Sequence, residues 1–338
     1  MLDRRQREGS RLILEYLFPN LSLSDTSSDD PALTLSGEEE DAVADMVHFF
    51  LQARYEDAAA AAVRCRNSRH PEIRELALLC HVMISVAQHN TEAVQNDFQT
   101  LQLKSRYPEN RRVVALNDVS RFVVSVFFHL GEDIAPSPQV DIRDSSEGIR
   151  LFSLYARSYA LYLKQEYAQA LGVAEAGLLM AADRHQIISI YLNLAASMAA
   201  MGLSRFELAD QFFLNALELA IPDGYIQPFI GHHGPLQGMV EKHIRDREPE
   251  LYRQIAEKVV RFRDGWAKIH NPQSPNQVTS LLTPYEFALA MLAAKGKTNQ
   301  EIADFMYISI NTVKSYLSVI YQKLGITKRT DLKDCLSK

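Results

Sequence analysis

Between Thr283 and Leu332 the sequence marks every helix boundary, and this constrains the local fold more than any other stretch of the chain. Thr283-Pro284-Tyr285-Glu286 is a capping box with proline at the first helical position, where its missing N–H costs nothing and its φ is already helical. Gly296 stands where a left-handed C-terminal cap belongs, and Thr298-Asn299-Gln300-Glu301 repeats the capping box two residues later, so two helices abut through a tight turn. The second helix has room for about two turns, burying Ile302, Ala303 and Met306, before Tyr307-Ile308-Ser309 interrupts it and Ser309 supplies the next N-cap.

A third helix follows. Val313, Leu317, Ile320 and Leu324 form the apolar stripe of an amphipathic helix that Gly325 ends. The opposite face shows Asn311, Lys314, Ser315 and Ser318, polar yet uncrowded, as a surface that lies in a groove must be. A short helix, a tight turn and a projecting second helix are the parts of a helix-turn-helix, whose recognition helix enters the DNA major groove.

The segment resembles the LuxR-type (GerE-like) helix-turn-helix domain. Its pattern is met at Leu282 to Glu286 (L-T-P-x-E), Gly296 to Ala303 (G-x-[ST]-N-x-E-I-A), Ile308 to Ser315 (I-S-x-N-T-V-K-[ST]), Lys323 to Ile326 (K-L-G-[IV]) and Arg329 to Leu332 (R-T-[DE]-L). A plain helical hairpin explains the caps but not the I-S-x-N-T-V-K run. The resemblance implies that Lys314, Ser315 and Ser318 approach base edges of double-stranded DNA and that Asn311, Thr312 and Arg329 hold phosphates. It also implies that the last helix, through Leu332, Cys335 and Leu336, pairs two subunits into a homodimer on DNA. Phe305, Ile310 and Gln322 replace charges usual in such domains, and Tyr316 stands where histidine is common. Fewer cations imply weaker, less salt-dependent binding.

Upstream, from Glu40 onward, the pattern is helix after helix. Phe206-x-x-Ala209-x-x-x-Phe213-x-x-Ala216 has the second-helix spacing of a tetratricopeptide repeat; Tyr167-x-x-Ala170, with Ala174 and Gly177, repeats it 39 residues earlier, and Tyr55-x-x-Ala58-Ala59 echoes it. The spacing and the phrase Pro222 to Phe229 resemble the repeat domain of maltose-regulator-type activators, which carry an ATPase module. This chain has no G-x-x-x-x-G-K-[ST], so a nucleotide switch is not supported. The expected fold is all-α: a tetratricopeptide-like solenoid (1–269) with loops near 22–41 and 132–148, a proline-bearing linker (270–280) and the four-helix domain (281–338). Stacked helix pairs would offer a concave surface for a small molecule or a protein. The aromatics Tyr159, Tyr162, Tyr167, Tyr191, Phe212 and Phe213 are expected in its core. Arg4, Arg5 and Arg7 precede what reads as a packed N-terminal helix.

Composition sharpens the division. The net charge is −6, but residues 279–338 carry eight Lys/Arg against five Asp/Glu, so the basic share lies on the small domain and the remainder is −9. An acidic body opposes non-specific adsorption to DNA. Cys65, Cys80 and Cys335 are unpaired by spacing, which suits free thiols in a reducing compartment, and no apolar run is long enough to span a bilayer, so a cytoplasmic protein is expected. Adjacent His232 and His233 in a Gly-His-His-Gly turn point apart and suggest a turn rather than a metal site. Asp29-Asp30 lacks the alternating strands and helices of a phospho-receiver. No catalytic constellation, cofactor motif or metal set is visible. The reading is a DNA-binding transcriptional regulator whose repeats sense a signal; the alternative is a scaffold or adaptor whose terminal domain has lost DNA binding.

Overall fold

The computed structural model describes residues 37–104, 111–127, 147–181, 185–270, 281–306 and 308–336. The N-terminal helix expected after Arg4, Arg5 and Arg7, most of the expected linker and most of both expected loops lie outside the described residues. Where those loops meet described chain, they end earlier than expected: Gly37–Leu51 is α1, with Glu38, Glu39 and Glu40 in its first turn, and Glu147 opens another helix. Carboxylates at a helix N-terminus face the positive end of its dipole, so an acidic run that reads as loop instead starts a helix.

The described residues contain helices and no strand. They form hairpins: α1 with α2 (Tyr55–Arg66), α3 (Pro71–Ala87) with α4 (Thr91–Lys104), then α5 (Arg111–Phe127), α6 (Glu147–Leu163) with α7 (Tyr167–Ala181), and α8 (Gln186–Gly202) with α9 (Phe206–Ala220). The repetition extends to the backbone. Ala53, His89, Gln165 and Ser204 each adopt a left-handed φ between the two helices of a hairpin. The residue after each donates back across the turn, Arg54 to Phe49, Asn90 to Ser85, Glu166 to Leu161 and Arg205 to Ala200, at 2.8 to 2.9 Å. This satisfies a carbonyl that the helix end leaves orphaned.

The spacing of 39 recurs in the side chains. Ser158 Oγ donates to Ala170 O at 2.8 Å and Ser197 Oγ to Ala209 O at 2.9 Å, at equivalent positions of successive hairpins. Ala58, Ala170 and Ala209 are wholly buried, the small residues that let paired helices approach. Of the six repeat aromatics expected inside, Tyr159, Tyr162 and Phe213 are buried, while Tyr167, Tyr191 and Phe212 are half-buried against the core.

The concave side is not open. After α9 the chain turns at Ile221–Asp223 and runs through α10 (Gln227–Gly231), α11 (Met239–His243) and the long α12 (Pro249–His270) back onto the first hairpins. Gln52 Nε2 donates to Asp223 O at 3.0 Å, Tyr55 OH to Gln227 Oε1 at 2.6 Å, and Lys258 Nζ to Ala53 O at 2.8 Å. Gly265 lies so close to α3 that a Cβ there would sit 1.9 Å from Val86 O. The extended groove expected of a solenoid is thus narrowed into a bowl by the chain's own continuation.

Four helices follow: α13 (Pro284–Ala294), α14 (Asn299–Met306), α15 (Ile310–Leu324) and α16 (Asp331–Leu336). No helix among the described residues is long and apolar enough to cross a membrane.

Candidate nucleic-acid interface

The caps read from sequence are all made. Glu286 N donates to Thr283 Oγ1 at 3.2 Å and Thr283 N to Glu286 Oε2 at 2.8 Å; Thr298 and Glu301 repeat the exchange at 3.2 and 2.7 Å. Ser309 Oγ accepts from Thr312 N at 3.0 Å, and Gly296 and Gly325 have φ of +84° and +65°. Glu286 has a second role, accepting from Lys323 Nζ at 2.8 and 2.7 Å, which ties the start of α13 to the end of α15. Burial works against its charge, but Lys323 and Thr283 hold its carboxyl below the usual range.

The stripe of α15 faces inward, with Val313 and Ile320 wholly buried and Leu317 nearly so. Asn311, Lys314, Ser315 and Ser318 are exposed on the opposite side, joined by Val319. Ser315 Oγ rests on Asn311 O at 3.0 Å and Thr312 Oγ1 on Ser309 Oγ at 2.8 Å, so both hydroxyls are held in place at the surface. Arg329 is placed differently from the rest. Its guanidinium donates to Asn299 Oδ1 at 2.8 Å and to the Lys297 carbonyl, bracing the turn between α13 and α14. Leu332 is wholly buried, with α16 packed on α13, so it is not on the surface available for pairing; Cys335 and Leu336 are half-exposed. Tyr316 rests on Tyr285 with ring centroids 5.0 Å apart, Gln322 is exposed, and Ile310 lies at the start of α15 with its side chain part-exposed.

The domain is attached to the repeat body through its other side. Phe305 is buried against Phe206 of α9, centroids 5.7 Å apart, and beneath Lys242 Nζ at 4.6 Å. Met306 packs on Gly238, where a Cβ would meet its sulfur at 2.8 Å. Phe287 of α13 lies over His233 and under the Arg263 guanidinium at 4.5 Å, while Arg263 Nη2 donates to Leu282 O at 2.7 Å. Burial lowers the Arg263 guanidinium to about 10. Lys297 Nζ donates to Ser204 Oγ at 2.7 Å, and Lys295 Nζ to Tyr167 OH at 3.2 Å. Two of the small domain's cations are therefore directed at the body. The sequence gives no expectation of this attachment, and Phe305, where the resemblance implies a charge, lies within it.

The two histidines of the Gly231 to Gly234 turn do point apart, and both are buried. His232 Nδ1 lies 2.7 Å from Pro228 O, so it carries the proton; Nε2, 2.6 Å from Tyr155 OH, must then accept from that hydroxyl. Burial lowers its pKa to about 4 and keeps the ring neutral. His233 Nε2 faces Glu241 Oε1 at 2.7 Å on the side of the small domain. No group of three metal-ligating side chains exists among the described residues.

Comparison with known proteins agrees with this geometry. The family described as "Bacterial regulatory proteins, luxR family" matches residues 280–336. The HTH-type transcriptional regulator MalT of Klebsiella pneumoniae subsp. pneumoniae is 27% identical over 139 residues, which is 36% of this chain and 15% of that protein. The chain therefore spans only a small part of this relative's length. No solved structure matches. The chain thus ends in a helix-turn-helix domain of the luxR family of bacterial regulatory proteins, carried on a helical repeat body.

Proposed function

We propose that the chain is a DNA-binding transcriptional regulator in which the repeat body takes up a signal, a small molecule or a protein, and thereby controls how two helix-turn-helix domains meet paired DNA half-sites. The observation that carries this is the division of the small domain's surface. The α13 and α14 side is committed to the body, whereas the reading face of α15 is exposed. A signal that favours one arrangement of the dock over another shifts the population presenting two reading faces at the right spacing. Lys314, Ser315 and Ser318 meet base edges, Asn311 and Thr312 meet phosphates, and Cys335 and Leu336 supply the exposed part of a pairing surface. Arg329 reaches phosphate only in addition to bracing its turn.

The adaptor reading rests on the missing charges at Phe305 and Gln322. Phe305 has a physical reason in the dock, which leaves Gln322 alone. The test is a gel-shift titration of the full chain against DNA from its own upstream region over a salt series; no shift at low salt favours the adaptor. Lys314→Ala lowers specific affinity by about 1–3 kcal/mol and relaxes preference at one base step if Lys314 reads a guanine edge. Uniform weakening across sequences marks it as a phosphate contact instead.

A further inference from the structure

We propose that the centre of the repeat body is a binding site for a small, mostly apolar molecule bearing one hydroxyl, and that its occupancy is passed to the helix-turn-helix through the segment 231–238. The second half rests on the regulator reading above; the first does not.

Inside the bowl lies a partly open cavity of about 150 Å³, walled by α1, α3, α5, α6, α8 and α10. Protein interiors hold few voids larger than a water molecule, and an apolar cavity of this size admits a benzene-sized guest. Leu51, Leu79, Val123 and Phe127 are typical of its walls, and no charged side chain lines it. A carboxylate or ammonium ligand would be stranded there, and a sugar would bury hydroxyls that find no partner. The polar atoms that do line it are few. Ser120 is wholly buried, and its Oγ has no hydrogen-bond partner among the described residues. Tyr155 donates its proton to His232, which leaves its oxygen able to accept one more. These two, with Tyr191, suit one hydroxyl on an otherwise apolar guest.

The wall is also the link. His232 and Gly231 line the cavity, and the next residues face the small domain. A Cβ on Gly234 would lie 3.2 Å from the Phe287 ring, His233 packs on that ring, and Gly238 carries Met306 and Phe305. A guest that displaces the His232 ring therefore moves a segment with little slack, whose far side holds both docking helices.

The test uses the full chain without DNA, with ethylbenzene, 4-ethylphenol and maltotriose as probes, followed by saturation-transfer NMR and thermal melting. Both aromatics are expected to bind and raise the melting temperature, 4-ethylphenol roughly three- to ten-fold more tightly, and maltotriose to do neither. Ser120→Ala is expected to erase the preference for the phenol while retaining ethylbenzene. Ser120→Leu, if its melt shows it folded, is expected to abolish both. Failure of both aromatics to bind wild-type protein, or binding unaltered in folded Ser120→Leu, overturns the site. Saturating 4-ethylphenol is expected to change amide exchange in α14; unchanged exchange overturns the link and leaves the site standing. Because no DNA is present, failure of the regulator reading in the gel shift is a separate outcome.

Discussion

Replacing Phe305 by alanine tests whether the two parts of the chain are held together by the contacts described. Phe305 is 6% exposed, and what covers it across the boundary is the Phe206 ring at 5.7 Å and the Lys242 ammonium at 4.6 Å. Fully burying a phenylalanine side chain stabilises by about 1.5–3 kcal/mol, an aromatic pair adds about 0.5–1.5, and a cation over the ring about 0.5–2. Part of that burial comes from the residue's own domain, and Lys242 keeps Asp210, to which it donates at 2.8 Å, so the loss at the dock is about 3 kcal/mol rather than the full sum. An opening equilibrium shifted by that amount accelerates amide exchange on the order of 100-fold. Hydrogen–deuterium exchange by mass spectrometry reads it in peptides from both sides, 206–214 and 299–306. Phe206→Ala combined with Phe305→Ala should show a coupling of about 0.5–1.5 kcal/mol. Faster exchange confined to α14 and α15, with α9 unchanged and no coupling, would refute the dock and make Phe305 an ordinary residue of the small domain's core.

Gly265→Ala places a Cβ 1.9 Å from the Val86 carbonyl, which α3 cannot yield cheaply, and denaturant unfolding should show a loss of about 1–3 kcal/mol or more. Leu332→Asp puts a charge into a site with no exposure, so calorimetry should show the small domain unfolding rather than a folded domain that merely fails to pair. Stability should fall with acid. His232 titrates at about 4 when folded and 6.5 when unfolded, so the unfolded chain binds the proton first; stability is complete above pH 6.5 and declines towards pH 4 by about 3 kcal/mol. His48 and His243, also lowered by burial, act in the same direction, so His232→Gln should reduce the pH dependence of the melting temperature over that window without abolishing it.

The small domain was legible because its signals are local: capping boxes, left-handed glycines and a helical stripe act within a few residues of themselves. The 39-residue period was legible because close helix packing demands small residues at fixed places, and Ala170 and Ala209 supply them. The hairpin turns were not. Ala53, His89, Gln165 and Ser204 take a left-handed φ without glycine, held there by the helices on either side rather than by any preference of their own. Closure of the bowl depends on pairs such as Tyr55 with Gln227, far apart in sequence, and nothing local announces them. Leu332 was assigned to a pairing surface on resemblance, while its burial follows from α13, which only the assembled domain brings to it. The docking side left one trace, an aromatic at Phe305 where the resemblance implies an ion.

The return of α12 onto the first hairpins has an evolutionary consequence. A spiral of stacked units with free ends tolerates duplication or loss of a unit, because each touches only its neighbours. Here the last helix must reach Ala53 and Val86 while the segment before it reaches Gln52 and Tyr55, so inserting or deleting one hairpin would pull the ends out of register. Members of this lineage should therefore vary in loop length and wall composition but keep the same number of hairpins.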